Sequence, residues 1–155
     1  MAARMGWEVR GVDFSEEALV RLNRFAQAEG LMVDTEVMDL ERDLNRPAPD
    51  ASKTQYDLIC LCRYKAVHTL YGWCADQLAL NGELVVTTFN LNHHLQTGFN
   101  RRFILEPQEL LHVDPRLACQ SYFQDGDALQ YDIYRFTRTD AVREDIISAN
   151  CDNNL

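Results

Sequence analysis

Residues 56–62, Tyr-Asp-Leu-Ile-Cys-Leu-Cys, form a near-continuous apolar run. It is far shorter than the ~20 apolar residues that a membrane-spanning helix needs. As a strand it lacks the in-out alternation of a sheet with one wet face. A strand of this kind belongs in a sheet covered on both sides, which in practice means parallel strands flanked by helices. The rest of the chain has to supply those strands and helices.

It does so in alternating order. Residues 7–13, Trp-Glu-Val-Arg-Gly-Val-Asp, read as a short strand ending in an acid. Ser15 stands at a helix N-cap position with Glu16 and Glu17 in the first turn, where a hydroxyl and negative charge both suit the exposed backbone N–H groups. Ala18, Leu19, Leu22, Phe25 and Ala26 recur at helical spacing, and Gly30 stops the helix. Residues 31–38 alternate partly and read as the next strand, and residues 41–54, with Pro47, Pro49 and Asp50, as a loop.

After the 56–62 strand, Val67, Leu70, Tyr71, Cys74 and Leu78 predict a helix over 66–80, ended by Asn81-Gly82, with a strand at 83–89. Residues 90–105 read as a polar connection. Pro107 opens a short helix to about Val113. Strands at 117–124 and 129–138 are joined through Asp125-Gly126-Asp127, a turn signal that predicts antiparallel pairing. Residues 139–155 are polar and read as a tail. The expectation is therefore one α/β domain over residues 1–138, a Rossmann-like, mostly parallel sheet closed by an antiparallel hairpin, followed by the tail.

Composition narrows the function. The 155 residues carry 24 acidic against 15 basic side chains, a formal net charge of −9, which disfavours binding of nucleic-acid backbones. Arg101-Arg102 is a compact basic pair in the second half. The N-terminal residues lack the apolar core of a signal peptide, and the five cysteines are odd in number and irregular in spacing. These features predict a cytoplasmic protein with reduced thiols and no membrane partner. Cys60, Cys62 and Cys74 lack a second paired Cys/His unit, so they read as core thiols, with no metal site.

Ordered local motifs carry a resemblance. Gly6-Trp7-Glu8-Val9-Arg10-Gly11-Val12-Asp13-Phe14-Ser15 resembles the second strand, with its acidic end, of class I S-adenosylmethionine-dependent methyltransferases. Val37-Met38-Asp39-Leu40-Glu41 resembles the acidic segment after their third strand, and Tyr56-Asp57-Leu58-Ile59 their fourth strand. Leu78 through Val85 is similar to their turn into strand five, with Asn81 and Glu83 departing from the usual Pro and Gly. More narrowly, Arg63-Tyr64, Thr88-Phe89 and the stretch Asn100–Leu111 resemble small bacterial methyltransferase-domain proteins of the tellurite-resistance type. The family's sheet has seven strands, the last inserted antiparallel. It begins with a strand, a Gly-x-Gly-x-Gly loop and a helix that have no counterpart here, and residues 1–5 resemble the last turn of that helix. The reading is a chain truncated at its N-terminus, by a late start or a gene-model error, with a degenerate relative as the alternative. The absent strand would lie between those at 7–13 and 56–62, which then have to pair directly or leave buried backbone groups unpaired.

The resemblance implies S-adenosyl-L-methionine as cofactor and a small-molecule methyl acceptor. Asp13 would accept hydrogen bonds from both ribose hydroxyls, or is an acidic helix-entry residue. Phe14 would pack on adenine, or is a staple residue. Asp39 would accept from the adenine amino group beside Leu40, or is a solvated acid. Arg63 and Tyr64 would line the cofactor or substrate site, or are a surface cation and a half-buried ring. His68, Asn90 and His93 are substrate-side candidates, with structural or solvated roles as the alternatives. No catalytic residue is assigned, and neither the acceptor nor the oligomeric state is legible. Two rival functions remain. One is a non-catalytic remnant of the same fold that serves as a binding module. The other is a different nucleotide-binding α/β enzyme using NAD, since Asp13 suits that ribose equally well.

Overall fold

A computed structural model describes residues 2–43 and 55–140. The expected loop over 41–54 and the tail over 139–155 therefore lie largely outside the described residues. The chain divides into two compact units, Met1–Pro49 and Asp50–Leu155.

The first unit is a strand–helix–strand repeat. Strand β1 (Arg10–Asp13) and strand β2 (Asp34–Val37) pair in parallel and flank helix α1 (Glu16–Ala28). Ser15 caps α1 as expected, its hydroxyl accepting from the Ala18 N–H at 3.2 Å. Both strands are shorter than the sequence suggests. Trp7–Val9 precede β1 as irregular chain, although the Val9 carbonyl still accepts from the Asp34 N–H. The helix exit delays β2, because the Leu31 N–H closes back on the Ala26 carbonyl at 2.8 Å while Gly30 turns through φ +66°. The apolar stripe is also narrower than its spacing implies: Leu19 and Ala26 are buried, but Ala18 and Phe25 are exposed.

The second unit holds a four-stranded sheet: β3 (Tyr56–Cys62), β4 (Leu78–Phe89), β5 (Leu117–Asp125) and β6 (Tyr131–Arg138), in the spatial order β3-β4-β6-β5. β3 and β4 are parallel, and β6 runs antiparallel to both β4 and β5. The last strand is thus inserted, reversed, between strands that share one direction, as expected of the closing hairpin. Among the described residues β1 pairs with β2 and β3 with β4.

Helix α2 (His68–Gln77) buries Leu70, Tyr71, Cys74 and Ala75. Its predicted face is right, but it ends earlier than expected because Leu78–Leu80 already belong to β4. Asn81-Gly82 is therefore an irregularity within the strand and not a helix end. Asn81 adopts φ +65°, and a Cβ on Gly82 would lie 2.8 Å from the Ala79 carbonyl and 3.0 Å from that of Tyr56. Burial makes Cys74 an inert thiol, pushed up to about 12. Cys60 and Cys62, expected in the core, are exposed: near its C-terminal end β3 buries Leu61 on one face and leaves the cysteine face open.

Three further expectations are corrected. The polar connection after β4 contains a helix, α3 (Leu91–Thr97), capped by Asn90 and closed by Gly98 at φ +70°. The predicted helix from Pro107 to Val113 is a series of turns, because Gln108 takes φ +60° and breaks the repeat. Leu110 and Val113 are buried all the same. The hairpin is joined by residues 126–130, a longer loop than Asp125-Gly126-Asp127 suggests.

The buried face shared by β4 and β6 changes character along its length. Leu84 faces Phe136 and Val86 faces Tyr134, all fully buried. Towards the carboxyl end of β4 the next pair is Thr88 and Asp132, followed by Asn90, and these too are buried. Asp132 accepts from Asn90 Nδ2 at 2.8 Å, Gln124 Nε2 at 3.1 Å and Tyr122 Oη at 3.3 Å. Removing the Asn90 side chain deletes a helix cap and one donor to a buried carboxylate. Asn90→Ala should cost about 2–4 kcal/mol in urea unfolding, and the Asn90→Ala/Asp132→Ala pair should cost clearly less than the sum of the singles.

A second clamp joins α2 to the start of β5. Arg116 Nε and Nη2 bond the two oxygens of Asp114 at 3.0 and 3.1 Å, Nη2 also reaches the Gly72 carbonyl, and Nη1 meets Asp76. Burial pushes the Asp114 carboxyl up, but the hydrogen bonds and charge of Arg116 outweigh it and leave it below the ordinary carboxylate range. A depressed folded-state pKa gives stability that is complete above the unfolded value and is lost as pH falls through the folded one. Asp114→Asn should therefore flatten the acid limb of a plot of urea midpoint against pH, with its largest loss at neutral pH.

Candidate functional site

Strand ends position the acids of the first unit. The Met38 N–H bonds the Asp13 carbonyl at 3.0 Å, so Asp13 and Asp39 emerge from the carboxyl ends of neighbouring parallel strands. In open parallel sheets this is the end where ligands bind. Asp13 Oδ1 accepts from the Ser15 N–H at 2.8 Å, which fixes the side chain across the entry to α1. Its other oxygen has no partner among the described residues. Phe14 is 78% exposed and packs as no staple. Asp39 is more occupied: Oδ1 accepts from the Glu41 N–H at 3.0 Å, and Oδ2 lies 3.4 Å from Arg42 Nε. Leu40 is half-buried beside it.

In the second unit Arg63 follows β3 directly. Its backbone takes φ +55°, with the N–H on the Thr87 carbonyl at 2.7 Å, and its guanidinium lies 6.0 Å from the Tyr131 ring centroid. For a long side chain this left-handed conformation stores about 1 kcal/mol or more. Tyr64 is half-buried. His68 is exposed at the first turn of α2, edge-on to Tyr71 at 6.4 Å.

Asn90 is fully committed to the fold. Its Oδ1 accepts from the N–H groups of Asn92 and His93, and its Nδ2 donates to the Leu129 carbonyl and to Asp132. His93 stacks on Phe89 at 4.1 Å and 20°, and meets Phe99 edge-on at 5.2 Å. Phe89 in turn touches Phe99 and Tyr131. Arg63 and His93 are thus joined through two rings that the sequence did not mark as site residues. Phe89 and His93 are four apart across an Asn N-cap, which was the available signal. Among the described residues no group of three His, Cys, Asp or Glu side chains converges as a metal site, and no helix is long and apolar enough to cross a membrane.

No protein-family model matches the chain, and no curated protein matches it in sequence. Solved structures do match. TehB from Haemophilus influenzae superposes with a TM-score of 0.68 at 14% identity, over 88% of this chain and 51% of TehB. The chain thus spans about half of that protein's length. An S-adenosylmethionine-dependent methyltransferase from Clostridium acetobutylicum gives 0.63 at 10% identity, covering 86% and 76% of the two chains. The N-methyltransferase NodS from Bradyrhizobium japonicum, in complex with S-adenosyl-L-homocysteine, gives 0.57 at 14%, covering 84% and 66%. At these identities the likeness is one of architecture: the chain has the fold of the class I S-adenosylmethionine-dependent methyltransferases.

Proposed function

We propose that the chain is a cytosolic S-adenosylmethionine-dependent methyltransferase domain acting on a small molecule, with residues 1–138 as its working part. The observation that carries this reading is the reversed β6 inserted between β4 and β5, together with acids at the carboxyl ends of two adjacent parallel strands. A plain doubly wound NAD-binding sheet has no such inserted strand.

The donor set fits the adenosine portion of the cofactor. Asp13 keeps one carboxylate oxygen for ribose hydroxyls, since its other accepts from Ser15. The exposed Phe14 offers a ring face to adenine. Asp39 would accept from the adenine amino group after releasing Arg42, an exposed partner whose ion pair is worth little.

When bound, S-adenosylmethionine would supply an activated methyl group on a sulfonium. The leaving group is already activated by its charge. The protein's work is to align the acceptor and exclude water. Taking a proton is needed only when the acceptor arrives protonated, so the scarcity of acid–base pairs in the described residues is compatible with this chemistry.

Calorimetric titration of the 155-residue chain with S-adenosylhomocysteine tests the reading. We expect weak binding, abolished in Asp13→Ala. Tighter binding of NAD would redirect the assignment to a nicotinamide enzyme, and binding of neither would leave a non-catalytic module of the same fold. Micromolar binding of S-adenosylhomocysteine would show that a glycine-rich loop is dispensable here. An in-frame Gly-x-Gly-x-Gly in the DNA upstream of the Met1 codon would instead place that loop in a longer protein.

A further inference from the structure

We propose that the carboxyl end of the larger sheet binds a small aromatic carboxylate, its carboxyl group on Arg63 at one end of a ladder of rings. The ladder runs from Tyr131 to Phe89 at 5.2 Å, from Phe89 to Phe99 at 5.1 Å and from Phe99 to Phe103 at 6.2 Å. Arg63 lies over Tyr131 at one end, and Arg102 lies 5.0 Å from the Phe103 centroid at the other. His93 is laid on Phe89 in the middle.

This is not an extension of the core. The large rings of the core, Tyr71, Tyr134 and Phe136, are at most 1% exposed, whereas Phe99 and Phe103 are 38% and 45% exposed. Contiguous exposed apolar surface of this kind marks binding sites more often than it occurs by chance.

Arg63 gives the sign of the ligand. Acids outnumber bases in the chain, and Arg4, Arg10, Arg21, Arg42, Lys65, Arg101, Arg116 and Arg135 all make ion pairs. Arg24, Arg63, Arg102 and Arg138 make none among the described residues, and of these Arg63 and Arg102 each rest on a ring. The neighbouring Arg101 does pair, with Glu106, so the difference is one of side-chain placement and not of local acid supply. Arg63 also holds a left-handed backbone that glycine would adopt at no cost. Strain retained at a bulky residue directs attention to its side chain.

An exposed guanidinium offers a planar fork that matches a carboxylate in two hydrogen bonds, and the ring faces offer stacking to a planar body. The net charge of −9 opposes multiply charged anions and nucleic acid, so a singly charged carboxylate is the class that fits. That this ligand is the methyl acceptor rests on the methyl-transfer reading above; its binding does not.

The test is calorimetry and saturation-transfer NMR on the 155-residue chain without cofactor, using benzoate, cyclohexanecarboxylate, acetate and benzylamine. Benzoate should bind at least about tenfold more tightly than the other three. Arg63→Gln should weaken it by about tenfold or more, while Arg102→Gln at the far end of the ladder and Arg24→Gln, an exposed arginine of α1, should not. Arg63→Gly relieves the left-handed backbone while removing the guanidinium, so it should fold at least as well and still lose benzoate. Equal binding of acetate, undiminished binding by Arg63→Gly, or displacement of benzoate by a single-stranded oligonucleotide would each overturn the proposal. Benzoate binding with no response to S-adenosylhomocysteine would sink the methyl-transfer reading and leave the aromatic carboxylate site standing.

Discussion

The buried Asp132 carboxylate sets the arrangement of the larger unit's carboxyl end. A carboxylate removed from water needs its lone pairs occupied, or the cost runs to several kcal/mol. Its three donors among the described residues are uncharged and come from two directions: Asn90 at the end of β4, and Tyr122 and Gln124 along β5. Asn90 is the hinge of this network because the same amide group also caps α3. The chain leaving β4 is therefore directed by a hydrogen-bond requirement in the sheet. It returns when the Leu105 N–H reaches the Phe89 carbonyl, and residues 91–104 between those two points carry His93, Phe99 and Phe103. Tyr131, the residue before Asp132, completes the ring contacts from the partner strand.

What the sequence made legible follows from which forces are local. The apolar run at 56–62, the face of α2 and the alternation in β6 are burial patterns, and burial leaves a periodic trace. Ser15 was legible because a cap acts within a single turn. Helix α3 was not, since seven residues with hardly any apolar stripe give no period, and its cap residue is defined by partners near residue 130. The end of α2 was misplaced for a related reason: Leu78 satisfies the helical spacing, but pairing with Tyr56 draws it into the sheet. Cys60 and Cys62 look like core residues by composition, and only the structure shows that one face of β3 is open there.

The candidate site divides along the same line. Asp13 and Asp39 were visible because an acid at a strand end is a sequence-local event. Arg63 was visible as a residue after a strand, but its left-handed backbone and its seat on Tyr131 depend on Thr87 and on the hairpin. The ring ladder joins residues from β4, the segment after it and β6, so no window of sequence contains it. Asn90, proposed from sequence as a substrate contact, has its amide donor and acceptor groups engaged by the fold.

Charge separates the chemistry of the two units. In the first, the candidate side chains Asp13 and Asp39 are hydrogen-bond acceptors, suited to hydroxyl and amino donors of a nucleoside. In the second, the exposed candidates are Arg63 and aromatic faces, suited to a ligand that brings an acceptor and a ring. An enzyme that moves a methyl group between two bound molecules has to recognise them by different means, or each would occupy the other's site. On the proposed reading, an acidic first unit and a locally cationic, aromatic surface on the second would supply that discrimination. The overall acidity serves the same end, because it sets Arg63 and its ring against a negative background.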